Sequence, residues 1–285
     1  METSRTAAAN SSVGDMTVLA DTLEHAPEAL SATCQRCRED FIYLPVQVGG
    51  QPLKSKYCSR CLPIIRIEEQ DAERRDVEHA EAVQRRAATM LDLLADVGVN
   101  IREHGHCTLD NFETDESGPG PLEAVRSFVE EAREAQKHTP VKGLYLWGDT
   151  GPGKSHLAVA ALRAVLEDPD VRPETIRLDR ADTLIIRIQD TYGRRDDSTM
   201  AVLESRIRSR VWVLDDLGTE RASDDVARHL TLIFSERALA PTIVTSNLSP
   251  RALEGARPEL GRLSSRLGPL HFRWIEVLGR DRRFG

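Results

Sequence analysis

The chain has 285 residues, 40% hydrophobic and only 5% aromatic, which suffices for one large domain with a smaller appendage, cored by Leu, Val, Ile and Ala. A net charge of −8 excludes a generic polyanion binder. No apolar run can span a bilayer and no basic start precedes an apolar block, so neither a membrane segment nor a secretory leader is read, and a cytoplasmic location with reduced cysteines is expected.

Residues 1–30 set five acids (Glu2, Asp15, Asp21, Glu24, Glu28) against Arg5 among Ala, Ser and Thr, the composition of a disordered acidic tail. Residues 31–64 hold "CQRC" (Cys34, Cys37) and "CSRC" (Cys58, Cys61), spaced C-x2-C-x20-C-x2-C. Two such knuckles place four thiolates around one tetrahedral ion, and Zn²⁺ suits an all-sulfur shell. The β-rich "FIYLPVQV" and the Gly49-Gly50 pair between them predict a hairpin, so the module resembles a zinc ribbon. Arg36, Arg38, Lys54, Lys56 and Arg60 make it locally basic; it is read either as a surface for protein or nucleic acid or as a solvated scaffold. Cys107 stands apart and is expected to be a small buried residue.

Ile65 to Val97 lacks Pro and Gly and alternates charges in "EEQDAERRDVEHAEAVQRRA", which predicts a long exposed helix whose last turns, "MLDLLADVGV", dock on the next domain. This helical linker is assigned to residues 65–104. It is either a spacer or a partner-binding helix.

The remaining residues, 105–285, carry the chemistry. Gly148-Asp149-Thr150-Gly151-Pro152-Gly153-Lys154-Ser155 fits G-x-x-x-x-G-K-[ST], with "GLYLW" reading as a strand before it and "SHLAVAALRAVLE" as a helix after it. The glycines let backbone N–H groups approach phosphate oxygens and the helix N-terminus adds its positive end. Lys154 is expected to reach the β- and γ-phosphates of ATP, and Ser155 to ligate Mg²⁺. "RVWVLDDLG" reads as a strand buried on both faces with two carboxylates at its C-terminal end. Asp215 is the expected Mg²⁺ partner and Asp216 is placed to polarise the attacking water. Asn247, ending "PTIVTSN", is placed to position that water. In "RPELGRLSSRLG", Arg262 and Arg266 are candidates to stabilise phosphoryl charge from a neighbouring subunit.

Together "CTLDNFE", "KGLYLWGDTGPGKSHLA", "VLDDLG", "TIVTSN", "LSSRL" and "GRDRR" resemble the DnaC/IstB-like group of AAA+ ATPases, the helicase loaders and transposition ATPases, over about Cys107 to Arg283. By that resemblance "CTLDNFE" helps form the adenine pocket, Asn247 matches sensor 1, and Arg266 matches the arginine finger, with Arg262 its rival one turn earlier. The sequence departs from the family where Asp216 replaces the Glu many AAA+ proteins carry, which implies slow water activation, and where the chain ends without room for a helical lid. Strands at about 143–148, 174–179, 211–216, 241–247 and 271–278 alternate with helices, so the fold class is α/β with a five-stranded parallel sheet. The resemblance implies the strand order 5-1-4-3-2.

Between the second and third strands, Arg187, Arg194, Arg195, Arg206, Arg208 and Arg210 make a basic region with Tyr192, read either as a grip on single-stranded DNA or as helix surface paired with Asp190, Asp196 and Asp197. The resemblance implies a helicase loader that forms a homo-oligomer with ATP, holds a DnaB-like replicative helicase through its N-terminal region and binds single-stranded DNA. An IstB-like ATPase that coats duplex DNA and recruits a transposase, or a zinc adaptor that hydrolyses nothing, are the alternatives.

Overall fold

The computed structural model describes residues 29–48, 51–114, 118–135, 139–151, 153–192, 198–218, 223–256 and 261–279. Most of the acidic tail, the Gly49-Gly50 pair, Pro152, Arg194, Arg195, Asp196, Asp197 and the residues from Arg280 onward lie outside these. The chain divides into two compact units, Met1–Glu78 and His79–Gly285.

The first unit contains two antiparallel hairpins where the sequence predicts one. β1 (Leu30–Thr33) pairs with β2 (Asp40–Tyr43), and β3 (Val46–Val48) with β4 (Gln51–Leu53), Val48 opposite Gln51. Hydrophobic packing is scant. Cys34, Cys58 and Cys61 are buried with Cys37, Phe41 and Tyr57 against them, whereas Ile42, Leu44, Val46, Val48 and Leu53 are exposed. So small a core cannot offset the entropy of ordering the segment, and the fold must lean on something other than apolar burial.

The charged stretch forms α1 (Leu62–Ala88), which has no buried residue. The sequence predicts one helix through Val97, but the helix breaks at Thr89. There the hydroxyl donates back to the carbonyls of Arg85 (3.3 Å) and Arg86 (3.4 Å), a competition with the helical ladder that bends or ends helices. α2 (Met90–Asp96) then buries Met90 and Leu94 in the core of the second unit. Arg86 fixes this junction. Its guanidinium donates to the carbonyls of Leu166 (3.1 Å), Asp168 (2.7 Å) and Val171 (2.6 Å), supplying partners to the end of the phosphate-loop helix. A short α3 (Ile101–His104) and α4 (Gly120–Glu134) come next.

The sheet of the second unit is parallel throughout. β5 (Gly143–Trp147), β6 (Ile176–Arg180), β7 (Val211–Leu217), β8 (Thr242–Ser246) and β9 (Phe272–Glu276) lie in the order β6-β7-β8-β5-β9. Numbered within the sheet and read from the β9 edge, this is 5-1-4-3-2, as the resemblance implies. Both faces are covered over the central strands β5, β7 and β8, which explains their continuous buried runs, whereas the edge strands β6 and β9 carry charged residues. Leu144, Leu146, Val211, Val213 and Ile243 face one core with α2, α4 and α5 (Lys154–Glu167). Tyr145, Trp212, Leu214 and Val244 face the other, with α6 (Ala181–Gln189), α7 (Ser198–Ile207) and α8 (Asp224–Glu236).

Two arginines of the basic region are held by this architecture, one of them buried and the other half-buried. Arg206 is 6% exposed; its Nη2 and Nε donate to Asp179 at 2.6 and 3.0 Å, and the same carboxylate accepts the indole N–H of Trp212 at 2.9 Å. Arg210 donates to the carbonyls of Arg133 (2.6 Å) and Ala132 (3.3 Å) at the end of α4. Reading Arg206 as part of a DNA grip is therefore corrected, since an apolar interior demands that its charge be paired where it stands, while the Arg210 guanidinium is engaged by backbone carbonyls. Arg208 is exposed and pairs with Glu204 along α7, and Tyr192 is 42% exposed. Two short helices, α9 (Pro250–Ala256) and α10 (Gly261–Arg266), complete the fold. Among the described residues no helix is long and apolar enough to cross a membrane.

Candidate functional site

The C-terminal edge of the sheet opens on a cavity of about 570 Å³ lined by Gly151, Gly153, Lys154, Ser155, Arg180, Asp215, Asp216, Thr245 and Asn247, together with Glu103, His104, His106, Cys107 and His156. Its position is set by the topology, since ligands in open α/β sheets lie beyond the carboxyl ends of the strands.

The loop that leaves β5 is shaped by glycines that nothing else could replace. Gly148 has φ +145°, and a Cβ there would stand 2.2 Å from the Val277 carbonyl oxygen. Gly153, φ +103°, would drive a Cβ to 2.8 Å from the Phe112 ring. The backbone therefore passes close to β9 on one side and to the segment before α4 on the other, and it delivers Lys154 to the first turn of α5. Lys154 is 7% exposed; its ammonium donates to the carbonyls of Gly148 (3.0 Å) and Asp149 (2.6 Å). A buried ammonium at the mouth of a helix N-terminus is a place for anionic oxygens.

Across from it, the Ser155 hydroxyl donates to Asp215 Oδ1 at 2.9 Å, and the Thr245 hydroxyl donates to the same oxygen at 2.5 Å. Hydroxyl and carboxylate oxygens brought together this way are hard donors, a set that suits Mg²⁺. Asp216 owes its orientation to a feature no motif records. Three steps along β7, Leu214 to Leu217, match two along β8, Val244 to Ser246, so the pair of carboxylates sits in a β-bulge. Asp216 has φ +64°, and its N–H donates to Thr245 Oγ1 at 2.8 Å. Thr245 thus binds both aspartates. Burial, then the charge on Asp215, pushes the Asp216 carboxyl above the usual carboxylate range, while Arg180 and Lys154 draw it back.

The structure brings Gly151, Gly153, Lys154, Ser155, Asp215, Asp216 and Asn247 to one cavity; Gly148, Asp149 and Thr150 shape the loop without lining it. Asn247 is exposed immediately after β8. Arg262 and Arg266 lie exposed on α10 and do not line the cavity. The "CTLDNFE" segment contributes only Cys107 to the lining. Its Thr108 and Asn111 close a turn on each other, with the Asn111 side chain accepting from Thr108 N–H (2.9 Å), and the Thr108 carbonyl accepts from His156 Nε2 (2.9 Å). Arg180, Thr245 and the histidines at 104, 106 and 156 carry no motif that marks them in the sequence. Thr245 and His156 lie in marked segments, "TIVTSN" and "KGLYLWGDTGPGKSHLA", without being singled out there, and Arg180 is visible in the structure as the last residue of β6, in register with Asp215.

In the first unit, the thiol sulfurs of Cys34, Cys37, Cys58 and Cys61 all lie within 4.8 Å of one another, Cys37 and Cys58 at 3.9 Å. Tetrahedral Zn–S bonds of about 2.3 Å set sulfurs roughly 3.8 Å apart, so the cluster fits the ion. Burial alone would raise the Cys34 thiol, but the backbone N–H groups of Cys37, Cys58 and Arg36 hold it at about 6. Burial and the neighbouring sulfurs push Cys61 up to about 12. Outside it, Arg60 pairs with Glu39 at 2.6 Å and Arg36 with Glu68 at 2.5 Å.

No protein-family model and no curated protein matches the sequence. Solved structures do match. The DnaC helicase loader is 29% identical over 60% of this chain and 97% of its own, with a TM-score of 0.49. A DNA replication initiation factor is 20% identical over 61% of this chain and 51% of its own, with a TM-score of 0.50. The replication initiator DnaA bound to AMPPCP and single-stranded DNA is 22% identical over 62% of this chain and 52% of its own, also at 0.50. With the strand order, the last two show that the larger unit has the fold these replication proteins share, a five-stranded parallel sheet with helices on both faces. A four-cysteine cluster precedes it in the chain.

Proposed function

We propose that this protein is a Mg²⁺-dependent ATPase that loads a replicative helicase. The observation that carries the catalytic half is the convergence of Lys154, Ser155, Asp215, Asp216 and Asn247 on one cavity. In this reading the loop N–H groups and Lys154 hold the phosphates of ATP. Ser155 and Asp215 would hold Mg²⁺, which would supply neutralisation of phosphate charge. Asp216, its carboxyl raised and its backbone pinned by Thr245, takes the proton of the attacking water, and Asn247 orients that water. Arg266 lies outside the cavity of its own chain and serves a neighbouring subunit, with Arg262 the rival. ATP then favours the oligomer and hydrolysis releases it.

The loading half rests on the sequence resemblance to the DnaC/IstB-like group, on the shared replication-initiator fold and on the N-terminal module. The ribbon, held by Zn²⁺ on Cys34, Cys37, Cys58 and Cys61, offers exposed Ile42, Leu44, Val46, Val48 and Leu53 for a DnaB-like helicase. Single-stranded DNA is taken by the oligomer, with Arg208 and Tyr192 of the basic region still on the surface.

Two measurements test this. ATP turnover stimulated by single-stranded DNA is expected for the wild type and its loss for Lys154→Ala; equal turnover in the variant would refute the site. Co-purification of the full chain with the host's replicative helicase is expected, and reduced capture after Val46→Asp and Val48→Asp. Failure to bind the helicase, with filaments on duplex DNA in the presence of ATP, would favour the transposition reading instead.

A further inference from the structure

A second set of soft donors lies in the larger unit. At the end of α3 the sequence reads His104-Gly105-His106-Cys107, and the chain turns tightly there. The Gly105 N–H donates to the Ile101 carbonyl at 2.9 Å, and a Cβ on Gly105 would stand 2.6 Å from that oxygen. The turn carries Cys107 inward, to 1% exposure, and leaves His106 exposed. His156, one residue beyond Ser155 on α5, meets them from the other side. One ring nitrogen from each of His106 and His156 and the Cys107 sulfur lie within 4.8 Å of one another. His104 Nδ1 is 4.0 Å from the same sulfur.

The surroundings favour a metal over simple ring packing. His156 gives its Nε2–H to the Thr108 carbonyl at 2.9 Å, so in the neutral ring Nδ1 carries the lone pair. A backbone carbonyl fixing one nitrogen is the usual support behind a metal-bound imidazole. The carbonyl of His106 accepts the Asn111 side-chain amide at 2.8 Å, which braces the turn from behind. A tetrahedral zinc with bonds of about 2.1 Å to nitrogen and 2.3 Å to sulfur needs its ligand atoms roughly 3.4–3.8 Å apart. The cluster's ligand atoms, all within 4.8 Å of one another, stand near that spacing. One thiolate and two imidazoles select Zn²⁺ over the hard cation expected at Ser155 and Asp215.

We propose that His106, Cys107 and His156 form a second zinc site in the wall of the nucleotide cavity, separate from the four cysteines of the first unit. His104 is placed to supply the fourth ligand. Zinc there ties the segment ahead of the ATPase core to the first turn of α5, which bears Lys154 and Ser155. The proposal does not depend on the nucleotide reading, because its test reads metal and not turnover.

The experiment compares zinc content of the full chain with that of His106→Ala and Cys107→Ser after saturation with zinc and removal of loosely held ion. The wild type is expected to retain about one more zinc per chain than either variant. With Co²⁺ as the probe, the near-ultraviolet thiolate band is expected to weaken in Cys107→Ser and the visible bands to change in His106→Ala. Cys107 is buried, so its variant can disturb the core; His106 is exposed, and its variant decides the matter with folding checked by circular dichroism. Equal zinc content in wild type and His106→Ala overturns the proposal and leaves the cluster as packing around His156, whose ring already stands edge-on to Phe112 at 5.5 Å.

Discussion

Replacing Asp179 by Ala tests whether the basic region is built inward. Asp179 is 6% exposed and accepts three hydrogen bonds, two from Arg206 and one from Trp212. Its removal leaves a guanidinium that is 8% exposed without its counter-charge and an indole N–H without an acceptor. Breaking a buried ion pair by deleting one partner costs about 3–5 kcal/mol. The indole overlaps with that figure, since it shares the same oxygen. For a unit of this size a loss of 1 kcal/mol lowers Tm by about 2–4 °C, so the expected fall is roughly 6–20 °C.

The assay is urea unfolding of the single variants and of Asp179→Leu with Arg206→Met, the double variant losing both charges at once. It is expected to be more stable than the sum of the single losses by about 1 kcal/mol or more, because neither charge is then stranded. The Arg206→Met protein should also bind single-stranded DNA as the wild type does once folded. A loss below about 1 kcal/mol for Asp179→Ala, or a selective loss of DNA affinity in Arg206→Met at unchanged stability, refutes the inward assignment.

The nucleotide cavity and the cysteine cluster lead to three further outcomes. Thr245→Val keeps the side chain's shape but strands the Asp216 N–H and leaves Asp215 Oδ1 with the Ser155 hydroxyl alone; a loss of about 1–3 kcal/mol and reduced turnover are expected, with Thr245→Ser restoring both in denaturation and ATPase assays. Gly148→Ala forces a Cβ against the Val277 carbonyl, so calorimetry should find nucleotide binding weakened at least tenfold; unchanged affinity would contradict the close passage of the loop over β9. Stripping metal with a chelator should expose the first unit to protease cleavage between 30 and 60 while leaving nucleotide binding in the second unit measurable. Resistance equal to the untreated protein would mean that the hairpins stand without zinc.

What the sequence revealed, and what it hid, divides by the distance between the groups that matter. The phosphate loop was legible because its requirements are local. A few consecutive residues must turn, admit phosphate and begin a helix, and only Gly, Lys and Ser at those positions do all three. The cysteine knuckles were legible for the same reason, and the parallel sheet because its central strands are apolar on both faces. The break at Thr89 was not, because a Thr in a charged helix is ordinary until its hydroxyl is seen to bond backward. Arg206 announced its charge but not its direction: its partner Asp179 lies on another element 27 residues earlier, and nothing near Arg206 distinguishes it from exposed Arg208. The bulge at Asp215 and Asp216 is of the same kind. The motif supplies two carboxylates, but which way the second points depends on β8, where Thr245 accepts the N–H of Asp216 and donates to Asp215. Without that threonine, the extra residue in β7 would have no reason to sit at positive φ. Asp216 aims into the cavity because a neighbouring strand makes an uncommon backbone conformation the favourable one.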